Sequence, residues 1–322
     1  MSCSKNRIGI DLGGTNIAAG ILTPEGNLMG KRSIRTDVRS SGEKITEDMV
    51  SLCFTIMEAQ GLKEEDIAAI GIGCPGFSDP QRGVLLKTVN LPFKNTNIRE
   101  IFARKTSIPV YLGNDANAAA LGEFTYGGAK GYSSSITITL GTGVGGGIII
   151  DGKILAGFNF AGAELGHMVI KSGGRQCSCG RKGCLEAYAS ANALAKAAVR
   201  AYRAHPDSAL GKLCGGDESK IDSKMAFDAA KTGDPVAKKV IDEYIEYLGE
   251  GIVNFINIFQ PQIVLIGGGV SKQGEYLLAP LRKFVDERNY CKGVCESSRI
   301  ERTLLGNDAG IIGAAILNEQ YE

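Results

Sequence analysis

The sequence, 322 residues long, lacks any apolar run approaching the roughly 20 residues that a membrane span requires. It also lacks a block of like charges: 36 Lys and Arg stand against 35 Asp and Glu, a formal net charge of +1. Such a balance argues against a nucleic-acid partner and against attraction to a membrane surface. Little chain precedes the first strand at Arg7, too little for a secretion signal, so a cytoplasmic location is expected. Histidine is scarce, with only His167 and His205, and His205 reads as surface. A disulfide scaffold is missing as well. Cys3, Cys53, Cys74, Cys214, Cys291 and Cys295 are scattered, as in a reducing compartment, and Cys291 with Cys295 has no further metal ligand nearby.

What is present is concentrated. His167, Cys177, Cys179 and Cys184 lie within 18 residues, spaced H-x9-C-x-C-x4-C. Three thiolates and one imidazole have the composition of a closed, four-coordinate structural zinc site. Gly173, Gly174, Gly180 and Gly183 let so short a chain bend back on itself. Glu164 precedes His167 by three residues and Glu186 follows Cys184 by two. An ion holding His167 and the Cys184 turn would fix where both carboxylates point, and a ligating imidazole keeps a second ring nitrogen as an outward donor. These groups suit a polyhydroxylated ligand such as a sugar; ordinary surface charge is the alternative for both glutamates.

Along the chain, residues 7–23 read as strand, glycine turn and strand, followed by a third strand near 28–35. Ile45, Met49, Leu52, Ile56 and Met57 recur at helical spacing over 43–60. Strands follow at 67–73 and 110–112, and a helix runs from Asp115 to about Tyr126. The opening pattern then returns at 135–151, which suggests a duplicated α/β unit. Helices are expected at 186–204, 223–231, 235–259 and 275–288, a strand at 262–266, and a small-residue helix at the end. The alternation argues for α/β layering with mixed sheets, divided near Gly127 and Gly128.

Two stretches match G-x-G-x-x-G: Gly71, Gly73 and Gly76, and Gly141, Gly143 and Gly146. Neither opens a helix, so neither is a dinucleotide fingerprint, and no G-x4-G-K-[ST] is present. The turns at Gly13-Gly14 and at 141–146 remain able to cradle phosphate through backbone N–H groups, with Thr15 and Thr142 adding hydroxyls. Tight β-turns explain either one alone. With a third glycine run at 267–269, the set favours ATP, and Asp11 at a strand end could hold Mg²⁺ through water. Asp115 follows a short strand, where α/β ligands bind, and is a candidate reacting carboxylate. An Asn-Asp helix cap explains the same position equally well.

DLGGT at 11–15, LGTGVGGG at 140–147, ELGH at 164–167 and CSCGRKGCLE at 177–186 resemble the ROK family of sugar kinases and repressors, over nearly the whole chain. The resemblance implies an α/β, two-domain actin-like ATPase (ribonuclease H-like) fold, with ATP and sugar meeting in an interdomain cleft. It implies a smaller domain of residues 1–118 plus 306–322 and a larger one, 119–305, carrying the zinc site. It implies Asp115 as catalytic base, and Asn114, Glu164, His167, Glu186 and Gly76 around the sugar. The zinc ligands would be His167, Cys177, Cys179 and Cys184. Asp11, Gly13, Gly14, Thr15 and Asn16, with Gly141, Thr142, Gly143, Gly145 and Gly146, would hold the phosphates, and Gly267, Gly268 and Gly269 the adenosine side. Ala163 departs from a frequent glycine, with little effect expected, and Phe160 from a frequent small residue beside the sugar.

The implied reaction is phosphoryl transfer from Mg-ATP to the 6-hydroxyl of a hexose, glucose first. N-acetylmannosamine, N-acetylglucosamine or another hexose is the alternative. Repressors of the family carry a helix-turn-helix ahead of DxGGT, whereas ten residues precede Asp11 here, so a kinase is expected rather than a sugar-sensing repressor. A homo-oligomer, dimer or tetramer, is also expected.

Overall fold

The computed structural model describes residues 5–321, and Cys3 lies outside them. Strand β1 (Asn6–Leu12) turns through Gly13 and Gly14 into β2 (Asn16–Leu22), which pairs with it antiparallel, Arg7 opposite Leu22. Strand β3 (Leu28–Arg35) extends the pair. Helix α1 (Gly42–Ala59) starts at Ser41, whose hydroxyl accepts from the Lys44 N–H at 3.1 Å. It buries Ile45, Met49, Leu52, Ile56 and Met57, the face its spacing predicts. Strand β4 (Ile67–Cys74) returns parallel to β1. A small sheet of β5 (Phe77–Asp79), β6 (Val84–Lys87) and β7 (Lys94–Asn97) follows, then α2 (Ile98–Ala103). The sequence reading left this stretch without elements, because pieces of three to six residues offer no window for a period to show. Strand β8 (Val110–Asn114) closes the first sheet in the order β3-β2-β1-β4-β8, and α3 (Asp115–Tyr126) follows at once.

Strands β9 (Ser134–Leu140), β10 (Val144–Ile150) and β11 (Lys153–Ile154) begin the second sheet. Beyond the Cys/His stretch come α4 (Glu186–Ala189), α5 (Ala191–Ala204), α6 (Ala209–Cys214), α7 (Ser223–Lys231) and α8 (Pro235–Phe259). Strand β12 (Ile263–Gly267), α9 (Glu275–Arg288) and β13 (Arg299–Arg302) complete the sheet in the order β11-β10-β9-β12-β13. That order repeats the first sheet's, three consecutive strands and then two reached through helices, as expected of a duplicated unit. The single helix expected over 186–204 is two. Ser190 is extended, at φ −73° and ψ 160°, and its hydroxyl accepts from the Ala193 N–H at 3.0 Å to start α5 afresh.

The chain ends in α10 (Ala309–Ala315) and α11 (Asn318–Tyr321). Small residues let α10 lie backbone against backbone: a Cβ at Gly9 of β1 would strike Ile311, and one at Gly71 of β4 would strike Ala314. On its other side Gly313 touches Ala118 of α3 in the same way. Glu123 fastens this return. Fully buried, it accepts from the N–H groups of Gly128 (2.9 Å), Leu304 (3.0 Å) and Leu305 (2.8 Å). Glu123→Ala would leave three part-buried donors without their acceptor and open a gap at a buried side chain. We expect a loss of about 2 kcal/mol, read as a lower urea midpoint, with Glu123→Gln losing less.

Contacts group the described residues into two units. One holds those up to Ser135, Gly147–Ala163 and those from Leu304; the other holds Ile136–Gly146 and Glu164–Thr303. Helix α3 falls in the first because α10 packs along it. Among the described residues no helix is long and apolar enough to cross a membrane.

Candidate active site and metal centre

In the first unit, parallel register sets Asp11 of β1 beside Gly73 of β4, and Cys74 beside Asn114 of β8. Asp11, Cys74 and the Asn114-Asp115 pair thus share one sheet edge. The Asn114 side chain accepts from the N–H groups of Ala116 (2.9 Å) and Asn117 (3.1 Å), so Asn114 is the cap of α3. Asp115 is the first residue of the helix, and one of its oxygens accepts from the Ala116 N–H at 2.8 Å. The side chain that caps α3 is thus that of Asn114, with Asp115 adding a second acceptor for the Ala116 N–H.

Burial raises the Asp11 carboxyl above its ordinary range, and no hydrogen bond or ion pair to another described residue offsets that. Cys74 is pushed far up, by burial first and then by the charges of Asp115 and Asp11, and stays a neutral thiol. Its place near the Asp11 and Asp115 carboxylates had no signal in the sequence. The turn after β1 is held by the Gly13 N–H donating to the Asn16 carbonyl at 3.0 Å and by Thr36 donating to the Gly13 carbonyl at 2.8 Å. Gly14, Thr15 and Asn16 stand exposed beyond it. Gly76, at φ 81°, is where β4 turns into β5.

In the second unit, the ligand atoms of His167, Cys177, Cys179 and Cys184 lie within 4.8 Å of one another. The chain bends back because the Cys177 N–H donates to the Arg181 carbonyl at 2.8 Å, with Gly180 and Gly183 at φ 90° and 88°. His167 turns Nδ1 toward Cys177 Sγ, 3.6 Å away, which leaves Nε2 as the outward nitrogen. Cys179 and Cys184 sulfurs are 3.7 Å apart. Partial burial raises the Glu164 carboxyl; His167 opposes the shift and the Glu186 charge adds to it.

Glu186 is engaged on both oxygens. Oε1 accepts from the Ser178 hydroxyl at 2.8 Å, and Oε2 from the Val144 N–H at 3.1 Å. The glycine turn itself is closed by the Gly141 N–H donating to the Gly143 carbonyl at 3.1 Å, with Thr142 exposed at its tip; Gly145 and Gly146 already belong to β10. Gly268, at φ 80°, and Gly269 are exposed just past β12, after buried Gly267. Neither G-x-G-x-x-G stretch opens a helix, as expected. Sequence reasoning passed over Ser178 and Val144. A hydroxyl between two clustered cysteines was the one signal available for the first.

The sequence profile of the ROK family matches residues 7–321. The chain belongs to the ROK family. A glucokinase of Halalkalibacterium halodurans is 37% identical over 316 residues, spanning 98% of this chain and 95% of that one. A glucokinase of Thermotoga maritima is 38% identical over 309 residues, spanning 96% and 95%. Among solved structures, a ROK family glucokinase from Streptomyces griseus in complex with glucose and AMPPNP is 35% identical, with a TM-score of 0.80 over 97% of this chain and 98% of that one. The mixed α/β chain has the two-domain actin-like ATPase fold of ROK glucokinases.

The residues of this ROK chain suit a cation at the Cys/His cluster. With none bound, burial and then the two neighbouring sulfurs push the Cys184 thiol up to about 12, a cost that a divalent ion removes by holding thiolates. Three sulfurs and one nitrogen select a soft or borderline ion. The departure at Ala163 is larger than expected of a single methyl. Ala163 is at φ 62° and so is Phe160, a left-handed backbone that costs an L-residue about 1–2 kcal/mol and that glycine adopts freely. Two strained positions therefore lead directly into Glu164.

Proposed function

We propose that this ROK protein is an ATP-dependent glucose kinase that phosphorylates the 6-hydroxyl. The observation that carries the reading is the gathering of His167 with three cysteines between Glu164 and Glu186, in a chain similar end to end to glucokinases. Asp115 accepts the proton of the attacking hydroxyl, the task a carboxylate has in other kinases. Asn114, Glu164, His167 through Nε2, Glu186 and the Gly76 turn hold the sugar hydroxyls, which supplies the positioning on which phosphoryl transfer depends. Residues 11–16 and 141–146 receive the phosphates through backbone N–H groups and hydroxyls, and 267–269 flank the adenosine. Zinc, when bound at the cluster, supplies fixed geometry rather than chemistry. The uncompensated Asp11 carboxylate fits Mg²⁺ held through water.

A smaller domain of 1–118 plus 306–322 and a larger one of 119–305 belong to the same reading. So do a cytoplasmic location, which the scattered cysteines support, and a homo-oligomer, which exposed Ile258, Tyr290 and Val294 support. An ADP-release assay against a hexose panel tests the function. Glucose is expected to be turned over fastest. Turnover of N-acetylmannosamine or N-acetylglucosamine without glucose would reassign the substrate, and no hexose turnover at all would end the reading.

Asp11 gives a pH-dependent expectation. Its folded-state value is raised above the ordinary 3.8, so at neutral pH the buried charge detracts from stability, and protonation on acidification removes that penalty. Asp11→Asn should therefore raise the urea midpoint of the nucleotide-free protein at pH 7. The gain should close as pH falls through the raised value toward 3.8, while ATP turnover drops by on the order of tenfold or more. An unchanged midpoint at pH 7 would mean that the carboxylate is not penalised.

A further inference from the structure

We infer that Ser178 is a positioning residue whose hydroxyl, through Glu186, ties the Cys/His knuckle to the glycine turn between β9 and β10. This rests on the reading of residues 141–146 as a phosphate-holding turn. Ser178 stands between Cys177 and Cys179, two of the clustered ligands, so its position is set wherever the knuckle is set. Its hydroxyl donates to Glu186 Oε1 at 2.8 Å, and the other oxygen of the same carboxylate receives the Val144 N–H at 3.1 Å. The carboxylate also lies directly against Gly143, where a side chain would strike Oε2. The far end of the turn is tethered separately, by the Ala191 N–H donating to the Gly141 carbonyl at 2.9 Å.

The geometry makes Glu186 a two-ended strut. A carboxylate has about four acceptor sites, so two remain for a sugar hydroxyl after Ser178 and Val144 are served. Cys177 Sγ also lies 3.7 Å from Oε1, but held as a thiolate by a cation it has no proton to donate. Without the Ser178 hydroxyl, Oε1 then loses its donor and the carboxylate is free to rotate about its last torsion, a soft sp³–sp² rotation. Rotation takes Oε2 off the Val144 N–H, and that N–H is the first of β10 after the turn. The turn would then have to be ordered by the nucleotide itself, at the expense of affinity. Ser178 touches no substrate in this account; it acts through Glu186.

The test is calorimetric titration of the full zinc-loaded chain with AMPPNP and Mg²⁺, in the absence of sugar. Ser178→Ala should weaken AMPPNP about 3- to 10-fold, the net worth of one typical hydrogen bond transmitted through Glu186, with zinc content unchanged. Ser178→Thr, which restores a hydroxyl, should bind within about twofold of the unsubstituted chain. AMPPNP binding equal to wild type in Ser178→Ala overturns the inference, and so does a threonine variant as weak as the alanine one. If the alanine variant does not retain zinc, Ser178→Gly takes its place under the same criteria. An unsubstituted chain that phosphorylates glucose while Ser178→Ala binds AMPPNP normally loses the strut and keeps the function. An unsubstituted chain that binds no AMPPNP loses the nucleotide reading itself.

Discussion

Asp115→Asn is expected to lower kcat by about 10²–10⁴ while leaving the hexose dissociation constant within a few-fold. The size follows from the proposed role of Asp115 as the proton acceptor of the attacking hydroxyl. Fold disruption is a poor competing explanation. The cap of α3 is Asn114, whose side chain accepts from both Ala116 and Asn117. An asparagine at 115 retains an oxygen for the Ala116 N–H that Asp115 now accepts. Steady-state turnover together with direct hexose titration separates the two quantities. Turnover within about tenfold of the unsubstituted chain would place the proton acceptor elsewhere. A large loss of hexose affinity would make Asp115 a binding group rather than a base.

Cys184→Ser should abolish stoichiometric zinc and reduce kcat/KM for the hexose by on the order of 10² or more. Cys184 is the most enclosed of the four clustered residues, fully buried where Cys179 is exposed. It also links the cluster to what lies around it. Its backbone pairs with Val169, its sulfur faces Cys179, and Glu186 follows two residues later at the start of α4. Without the ion, the thiol pushed up to about 12 is a neutral group, and the chain between Cys177 and Cys184 is held by hydrogen bonds alone, among them Ser178 to Glu186 and Arg181 to the His167 carbonyl. The orientation of His167 Nε2 and of Glu186 would then be averaged over several arrangements, and a misplacement of about 1 Å in positioning groups costs about 10²-fold. Metal analysis and hexose kinetics on one preparation decide the matter. A zinc-free Cys184→Ser chain with undiminished hexose turnover would separate the metal from catalysis altogether.

Much of this was legible locally. The alternation of Ile8 and Ile10, the helical spacing in α1, the Asp234 cap with Pro235 and the Cys/His spacing each sit inside one short window, and each element formed where that window put it. Residues 77–103 were not legible, because β5, β6 and β7 are too short for a period and are made strands by one another. The division at Ser190 was missed for a related reason. Both flanking segments favour helix, and only the extended backbone of a serine that caps the second separates them. The weight given to Ala163 erred because a methyl's effect depends on the sign of φ, which a sequence does not print.

The sequence by itself determined the gathering of His167 with Cys177, Cys179 and Cys184, the glycine turns and the repeated hairpin openings, since each lies within one short stretch of chain. Only the tertiary structure decided that Asn114 rather than Asp115 caps α3. It alone decided that Asp11 and Cys74 share an edge with them, that α10 lies against β1 and β4, and that Ser178 and Val144 divide the oxygens of Glu186. The reason is physical. Those outcomes depend on backbone groups distant in the chain meeting within hydrogen-bond or van der Waals range, and such meetings are selected by packing rather than by local preference.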